Sequence, residues 1–129
     1  MSLHLSKMHI GDKIKMEGPK GLLFYQGDGN FLLRKKPIKK TKIGLIAGGT
    51  GITPCFQIIQ SSSLAKDALS MVMLYSNKTE SDILLNEELD SYSKINAGHL
   101  KIFHTLTRYI EEEESSWTGF KGRITEDII

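Results

Sequence analysis

One cysteine, three prolines and almost no surplus charge are the scarcities of this sequence, and each closes off a class of protein. A lone thiol, Cys55, excludes an internal disulfide and suits a reducing compartment. The 17 basic and 15 acidic residues leave a net charge of +2, too small a field to draw the chain to nucleic acid. No apolar run approaches the roughly 20 residues that span a bilayer. The start, Met1 to Met8, is too short and too polar for a signal peptide. The expectation is a cytoplasmic protein. A place on the cytosolic face of a membrane would need an anchor outside this chain. His4, His9, His99 and His104 show no metal-ligand spacing with Cys55 or with carboxylates, so no metal is expected.

What is present is an ordinary globular composition, 40% hydrophobic and 25% charged, sufficient for one core. The charge is unevenly placed. Arg34, Lys35, Lys36, Lys39, Lys40 and Lys42 crowd one stretch, while Glu111 to Glu114 form an acidic run that reads as a solvated loop. The basic stretch reads two ways: a charged linker, or a surface that steers an acidic partner.

The first third is short β-structure. Ser2 can cap a brief helix. Lys13 to Glu17 alternates polar and apolar residues, the period of a half-buried strand. Gly18-Pro19-Lys20-Gly21 breaks it, Leu22 to Tyr25 forms a second strand, and Gly27-Asp28-Gly29 turns the chain into a third, Asn30 to Arg34. These strands lack partners for a complete sheet and read as part of an antiparallel barrel. Lys35 to Thr41 is a basic connector, and a domain boundary falls there, dividing 1–41 from 42–129.

Beyond the boundary the pattern changes to α/β. Ile43 to Ala47 is an apolar run suited to a strand buried on both faces. Pro54 to Leu64 has helical spacing, Leu69 to Tyr75 is a second strand, Asp82 can cap a helix through Leu89 and Tyr92, and Leu100 to Leu106 is a third strand. The order β-α-β-α-β predicts a parallel sheet with right-handed crossovers. Thr125 then reads as the cap of a helix that stops within its first turn at Ile129, so the sequence reads as truncated.

The informative segment is Gly48-Gly49-Thr50-Gly51-Ile52-Thr53-Pro54, between the first buried strand and its helix. Ligands of open α/β sheets bind at this edge. The glycines let a ligand approach the backbone. Pro54 suits the first helical position, and the free amides of a helix start form an anion site, with phosphate the obvious candidate. The segment is neither a G-x-G-x-x-G fingerprint nor a P-loop. A tight turn without a ligand is the plainer alternative.

At this loop the sequence resembles the NADH-cytochrome b5 reductase family, part of the ferredoxin-NADP reductase-like group, which carries G-G-T-G-I-T-P between strand and helix. Further motifs match in order. Glu17 to Gly21 is similar to the family's F-x-G-P-x-G segment, and Ser76 to Leu85 to its A-N-x-T-E-x-D-I-L-L segment. Trp117 and Gly122-Arg123-Ile124-Thr125 are similar to its W…G-x-V/I-x stretch.

The resemblance implies the C-terminal part of an FAD-binding barrel over 1–41, then a truncated NAD(P)H-binding domain of ferredoxin-NADP reductase type over 42–129. It implies FAD and NADH as cofactors, with NADPH possible, and a haem-protein acceptor such as cytochrome b5. Residue by residue, Met1 and Ser2 fall where the family holds the FAD pyrophosphate. Thr53 falls where a threonine reaches the flavin at the site of hydride transfer. Gly48, Gly49, Thr50, Gly51 and Pro54 form the passage for the nicotinamide dinucleotide, and Asn77, Lys78 and Thr79 lie toward its adenosine end. Ser2 as a plain cap and Asn77-Lys78 as a plain turn are the alternatives. Thr107 stands in T-L-T-R where NADH-using members carry aspartate, which implies a relaxed preference between the two coenzymes.

The family's flavin-gripping R-x-Y-S/T segment and its C-G-x-x-x-M segment have no counterpart here, and Cys55 reads as a packing residue. The implied function is a flavin-dependent reductase passing electrons from NAD(P)H through FAD to the haem protein. The other readings are a non-catalytic dinucleotide-binding or interaction module, an inactive fragment, or a regulatory phosphate-binding domain.

Overall fold

A computed structural model describes residues 2–18, 20–109 and 117–128, with Ser2 described by its backbone alone. Met1, Pro19, the acidic run Glu111 to Glu114 and Ile129 lie outside the described residues, as does the side chain of Ser2.

The chain opens on one helical turn, α1 (Ser2–Leu5). The strand expected over Lys13 to Glu17 does not form. Ile14 and Met16 are exposed, and among the described residues no strand pairs with the segment. Alternation suits a strand, but a strand needs a ladder partner.

Strands β1 (Leu23–Gly27), β2 (Asn30–Leu33) and β3 (Lys36–Lys39) make an antiparallel meander in that order. Asp28 and Gly29 turn β1 into β2 at φ 50° and 70°, the left-handed pair that a twisted hairpin requires. The basic stretch expected to be a connector is strand β3. Arg34 and Lys35 make the second tight turn at φ 50° and 67°, and Leu33 pairs with Lys36 to close it. Pro37 is tolerated because β3 lies at the sheet edge.

The second unit follows as β4 (Lys42–Gly48), α2 (Ile52–Ala65), β5 (Ser70–Asn77), α3 (Asn86–Ile95), β6 (Leu100–Leu106) and the short β7 (Phe120–Lys121). All four strands are parallel, in the order β4-β5-β6-β7. Because neighbours in the sheet are neighbours in sequence, right-handed crossovers set α2 and α3 on one face, where they touch.

The core lies beneath them. Ile52 and Ile59 of α2, Leu89 of α3, Met73 and Tyr75 of β5 and Leu100 of β6 are each no more than 1% exposed. Burying one such aliphatic side chain contributes about 1.5–3 kcal/mol. The same sequential order leaves the opposite face open. Leu45 and Ala47 are buried, whereas Ile46 is 58% exposed, so β4 is not covered on both faces as its apolar run suggested. No helix among the described residues is long and apolar enough to cross a membrane.

The two sheets are tied together through Asp67, just beyond α2. Its carboxylate accepts from the Tyr25 hydroxyl, the Ser62 hydroxyl, the Asp28 amide at 3.0 Å and the Leu69 amide at 3.1 Å. Phe31 of β2 joins the buried core, with its ring 4.9 Å from that of Tyr25.

Candidate functional site

The glycine segment folds as a compact step between strand and helix. Gly48 ends β4 in extended conformation, Gly49 to Gly51 form one turn of 3-10 helix, and α2 begins at Ile52. Pro54, expected at the first helical position, is the third residue of α2, because the 3-10 turn absorbs the approach and the helix starts sooner. It loses nothing there, since amides of the first turn have no intrahelical acceptor. The Thr53 hydroxyl donates to the Thr50 carbonyl at 2.9 Å and braces the step against the helix. Ile52 is buried to 1% and anchors the helix start. A Cβ placed on Gly49 or Gly51 would meet nothing within 4 Å, so the space beside the step is open.

A second wall rises from the ends of β5 and β6. The Thr107 amide donates to the Asn77 carbonyl and the Arg108 amide to the Lys78 carbonyl, both at 2.9 Å. The Thr107 hydroxyl also reaches the Asn77 carbonyl, at 3.3 Å. Between the walls lies a cleft of about 540 Å³, lined by Gly48, Gly49 and Thr50 on one side and by Asn77, Lys78 and Thr107 on the other. Six of the sequence-derived candidates therefore converge. Gly51, Thr53 and Pro54 sit beside the cleft at the start of α2. Thr79 stands behind it, its hydroxyl donating to Asp82 at 2.8 Å. Met1 lies outside the described residues, and of Ser2 only the backbone is placed.

The buried chemistry of the cleft is polar and incompletely matched. Asn77 is only 5% exposed, and neither atom of its side-chain amide has a hydrogen-bond partner. A buried amide left so costs about 1–3 kcal/mol, which a ligand able to bond it would recover. Beneath the step, the fully buried Tyr75 hydroxyl donates to the Gly49 carbonyl at 3.0 Å.

Sequence reasoning missed Tyr75, which lies beneath the cleft, and four lining residues: Ser76, Ser81, Asp82 and Leu84. Asp82 was read as the cap of a helix, yet α3 starts four residues later, at Asn86. Its carboxylate instead turns back to the Thr79 amide at 3.1 Å, and Leu85 adopts φ 57° before the helix begins. The Thr79 hydroxyl and amide, aided by Lys78 and Arg108, hold the Asp82 carboxyl below the usual carboxylate range.

Two other residues keep the plain roles read from sequence. Cys55 is half-buried against the core, and burial pushes its thiol up. His104 sits between the rings of Tyr75 and Trp117, at 5.8 and 6.3 Å. Burial pushes its pKa down against the pull of Asp90.

A cleft at the carboxyl edge of a parallel sheet, beside a glycine step into a helix, defines an α/β nucleotide-binding unit. Comparison with known proteins narrows the class. The family described as oxidoreductase NAD-binding domain matches residues 45–129. Over its whole length the chain is 42% identical to nitrate reductase [NADH] 1 of Arabidopsis thaliana, of which it spans 14%. It is 40% identical to NADH-cytochrome b5 reductase 2 of Gallus gallus, again over its whole length, and spans 43% of that protein. The crystal structure of the cytochrome b5 reductase domain of Ulva prolifera nitrate reductase superposes with a TM-score of 0.88 at 32% identity, covering 98% of this chain and 47% of that one. The chain belongs to the oxidoreductase NAD-binding domain family, in its NADH-cytochrome b5 reductase group. Its antiparallel strands followed by a parallel α/β sheet have the arrangement expected of that group.

Proposed function

We propose that this chain supplies the coenzyme-binding part of a cytoplasmic flavin-dependent reductase, which passes electrons from NAD(P)H through FAD to a haem-protein acceptor of the cytochrome b5 kind. The observation that carries the reading is the open cleft between the glycine step and the Asn77-Lys78-Thr107 wall. The chain fits a dinucleotide on two counts. Space lies free beside Gly49 and Gly51, and the buried Asn77 amide lacks a partner.

On this reading the backbone from Gly48 to Gly51 and the first turn of α2, with Pro54, receive the diphosphate. Asn77 and Lys78 hold the adenosine end, with Thr79 shaping the turn behind them, and Thr107 borders the ribose. Thr53, exposed on the first turn of α2, faces the junction with the flavin, while Met1 and Ser2 belong to the FAD side. The bound coenzyme supplies a hydride, and the protein's contribution is to hold and orient it. We assign 1–41 to the flavin-binding domain and 42–129 to the coenzyme domain. The basic residues of the β2–β3 hairpin and of the start of β4 are suited to steering an acidic haem protein.

Titration of the purified chain with NADH tests the reading. A dissociation constant on the order of 10–100 μM is expected, by analogy with ordinary enzyme-substrate affinities. No saturation below about 1 mM would overturn it. A yellow preparation would separately report retained flavin.

A further inference from the structure

Tyr75 has no role in the reading above, yet it is the side chain that touches the glycine step from below. We propose that Tyr75 is a positioning residue: its hydroxyl latches the Gly49 carbonyl and so turns the step toward the coenzyme diphosphate. The inference rests on the cleft being a dinucleotide site.

Three observations converge on it. Tyr75 is 0% exposed and lies on the same face of β5 as Asn77, two residues on, so a rigid strand carries both groups to the cleft floor. Its hydroxyl donates to the Gly49 carbonyl at 3.0 Å, and Gly49 is the residue of the step at positive φ, 48°. A carbonyl bonded downward into the core leaves the next residue's N–H pointing the opposite way, because the C=O and N–H bonds of a planar trans peptide point in opposite directions. The Thr50 amide, which shares its peptide plane with the Gly49 carbonyl, is thereby aimed away from the core.

The phenol has no better partner. Burial pushes its pKa up, while the neighbouring Asn77 amide and Leu84 backbone draw it part of the way back. The Asn77 amide nevertheless falls short of hydrogen-bond geometry and stays open to a ligand. A raised pKa favours the neutral hydroxyl, the form that donates to a carbonyl. A phenylalanine would fill the same space in the core and leave the Gly49 carbonyl to the Ile52 amide alone, without its anchor to β5.

Tyr75→Phe removes the latch while keeping the ring in the core. The 129-residue chain is titrated with NADH, ADP and adenosine, and its melting temperature is recorded. The variant is expected to bind NADH and ADP about five- to tenfold more weakly, in line with one hydrogen bond lost. Adenosine, which carries no phosphate, should change by less than about twofold. In NMR spectra the amides of residues 49–51 should shift while those of α3 stay in place. Tyr75→Met, also apolar and without a hydroxyl, leaves the cleft lining untouched and should give the same split between ligands.

Equal binding of NADH by wild type and Tyr75→Phe would overturn the latch while leaving the cleft assigned. Equal weakening of all three ligands would also overturn it, since a loosened core rather than an aimed amide would then be responsible. Failure of the wild type to bind NADH would instead bring down the dinucleotide reading. Should Tyr75→Phe not fold, the Tyr75→Met split decides the matter.

Discussion

Thr107 stands where the ends of two strands meet, with its amide and hydroxyl both on the Asn77 carbonyl and its side chain exposed at the cleft. Lys78 and Arg108 are joined backbone to backbone beside it, and both lower the pKa of Asp82. Two cations and one neutral hydroxyl thus border this end of the cleft, where the proposed reading sets the ribose, with Asp82 already engaged by Thr79. Among the described residues lining the cleft, Asp82 is the one carboxylate. We predict that the protein accepts NADPH within about tenfold of NADH, and that Thr107→Asp lowers NADPH affinity about tenfold or more while sparing NADH. Parallel titrations check this, and a wild type favouring NADH by about a hundredfold or more would contradict it. The candidates at this scale divide by how they are brought together. Gly48 to Pro54 were legible because their chemistry is contiguous in sequence. Tyr75 and Asp82 were not, because a core aromatic and a helix cap are what their local patterns suggest. Only the folded chain sets one under the step and turns the other back into the cleft.

At the scale of elements, the two hairpins of the first sheet show what a sequence announces and what it conceals. Asp28-Gly29 announces its turn because glycine takes a positive φ at no steric cost. Arg34-Lys35 adopts the same geometry with two long side chains, so β3 was hidden in what read as a charged linker. The helix starts erred for a related reason: a 3-10 turn stands at Glu80–Asp82 where a cap was expected, and another at Gly49–Gly51 where a plain glycine turn was expected. The first three strands of the α/β unit were legible to within two residues, since apolar runs between polar loops mark a parallel sheet well, whereas the two-residue β7 was not read as a strand.

The first hairpin allows a graded test. A Cβ on Gly29, at φ 70°, would fall 2.0 Å from the Lys40 carbonyl oxygen, whereas a Cβ on Gly27, at φ 90°, would meet nothing within 4 Å. Gly27→Ala therefore adds only backbone strain, about 1 kcal/mol. Gly29→Ala adds a clash with backbone and should lose about 2–4 kcal/mol, read from urea midpoints. Equal losses would show that the Gly29–Lys40 approach relaxes freely.

At the scale of the whole molecule, Asp67 joins the two sheets, and no pattern in the sequence pointed to it. A carboxylate beyond a helix end looks like any solvated loop residue until β1 and β2 are folded against α2. Burial by itself raises its pKa, but the bonds from Ser62, Tyr25, Leu69 and Asp28 outweigh that and hold the carboxyl below its ordinary value of 3.8. A carboxylate with a depressed folded pKa stabilises the native state fully above its unfolded pKa, and that stability is lost as pH falls through the folded value. The junction should therefore hold at neutral pH and weaken progressively below about pH 5. Asp82 shares the sign but is fully exposed, so its replacement by asparagine should leave the acid limb nearly unchanged. Asp67→Asn keeps an acceptor but loses the charge. It should cost about 1–3 kcal/mol at neutral pH and flatten the fall in stability between about pH 5 and about pH 2, measured by urea unfolding across that range. An acid limb as steep in Asp67→Asn as in the wild type would place the acid sensitivity elsewhere and leave Asp67 an ordinary surface contact.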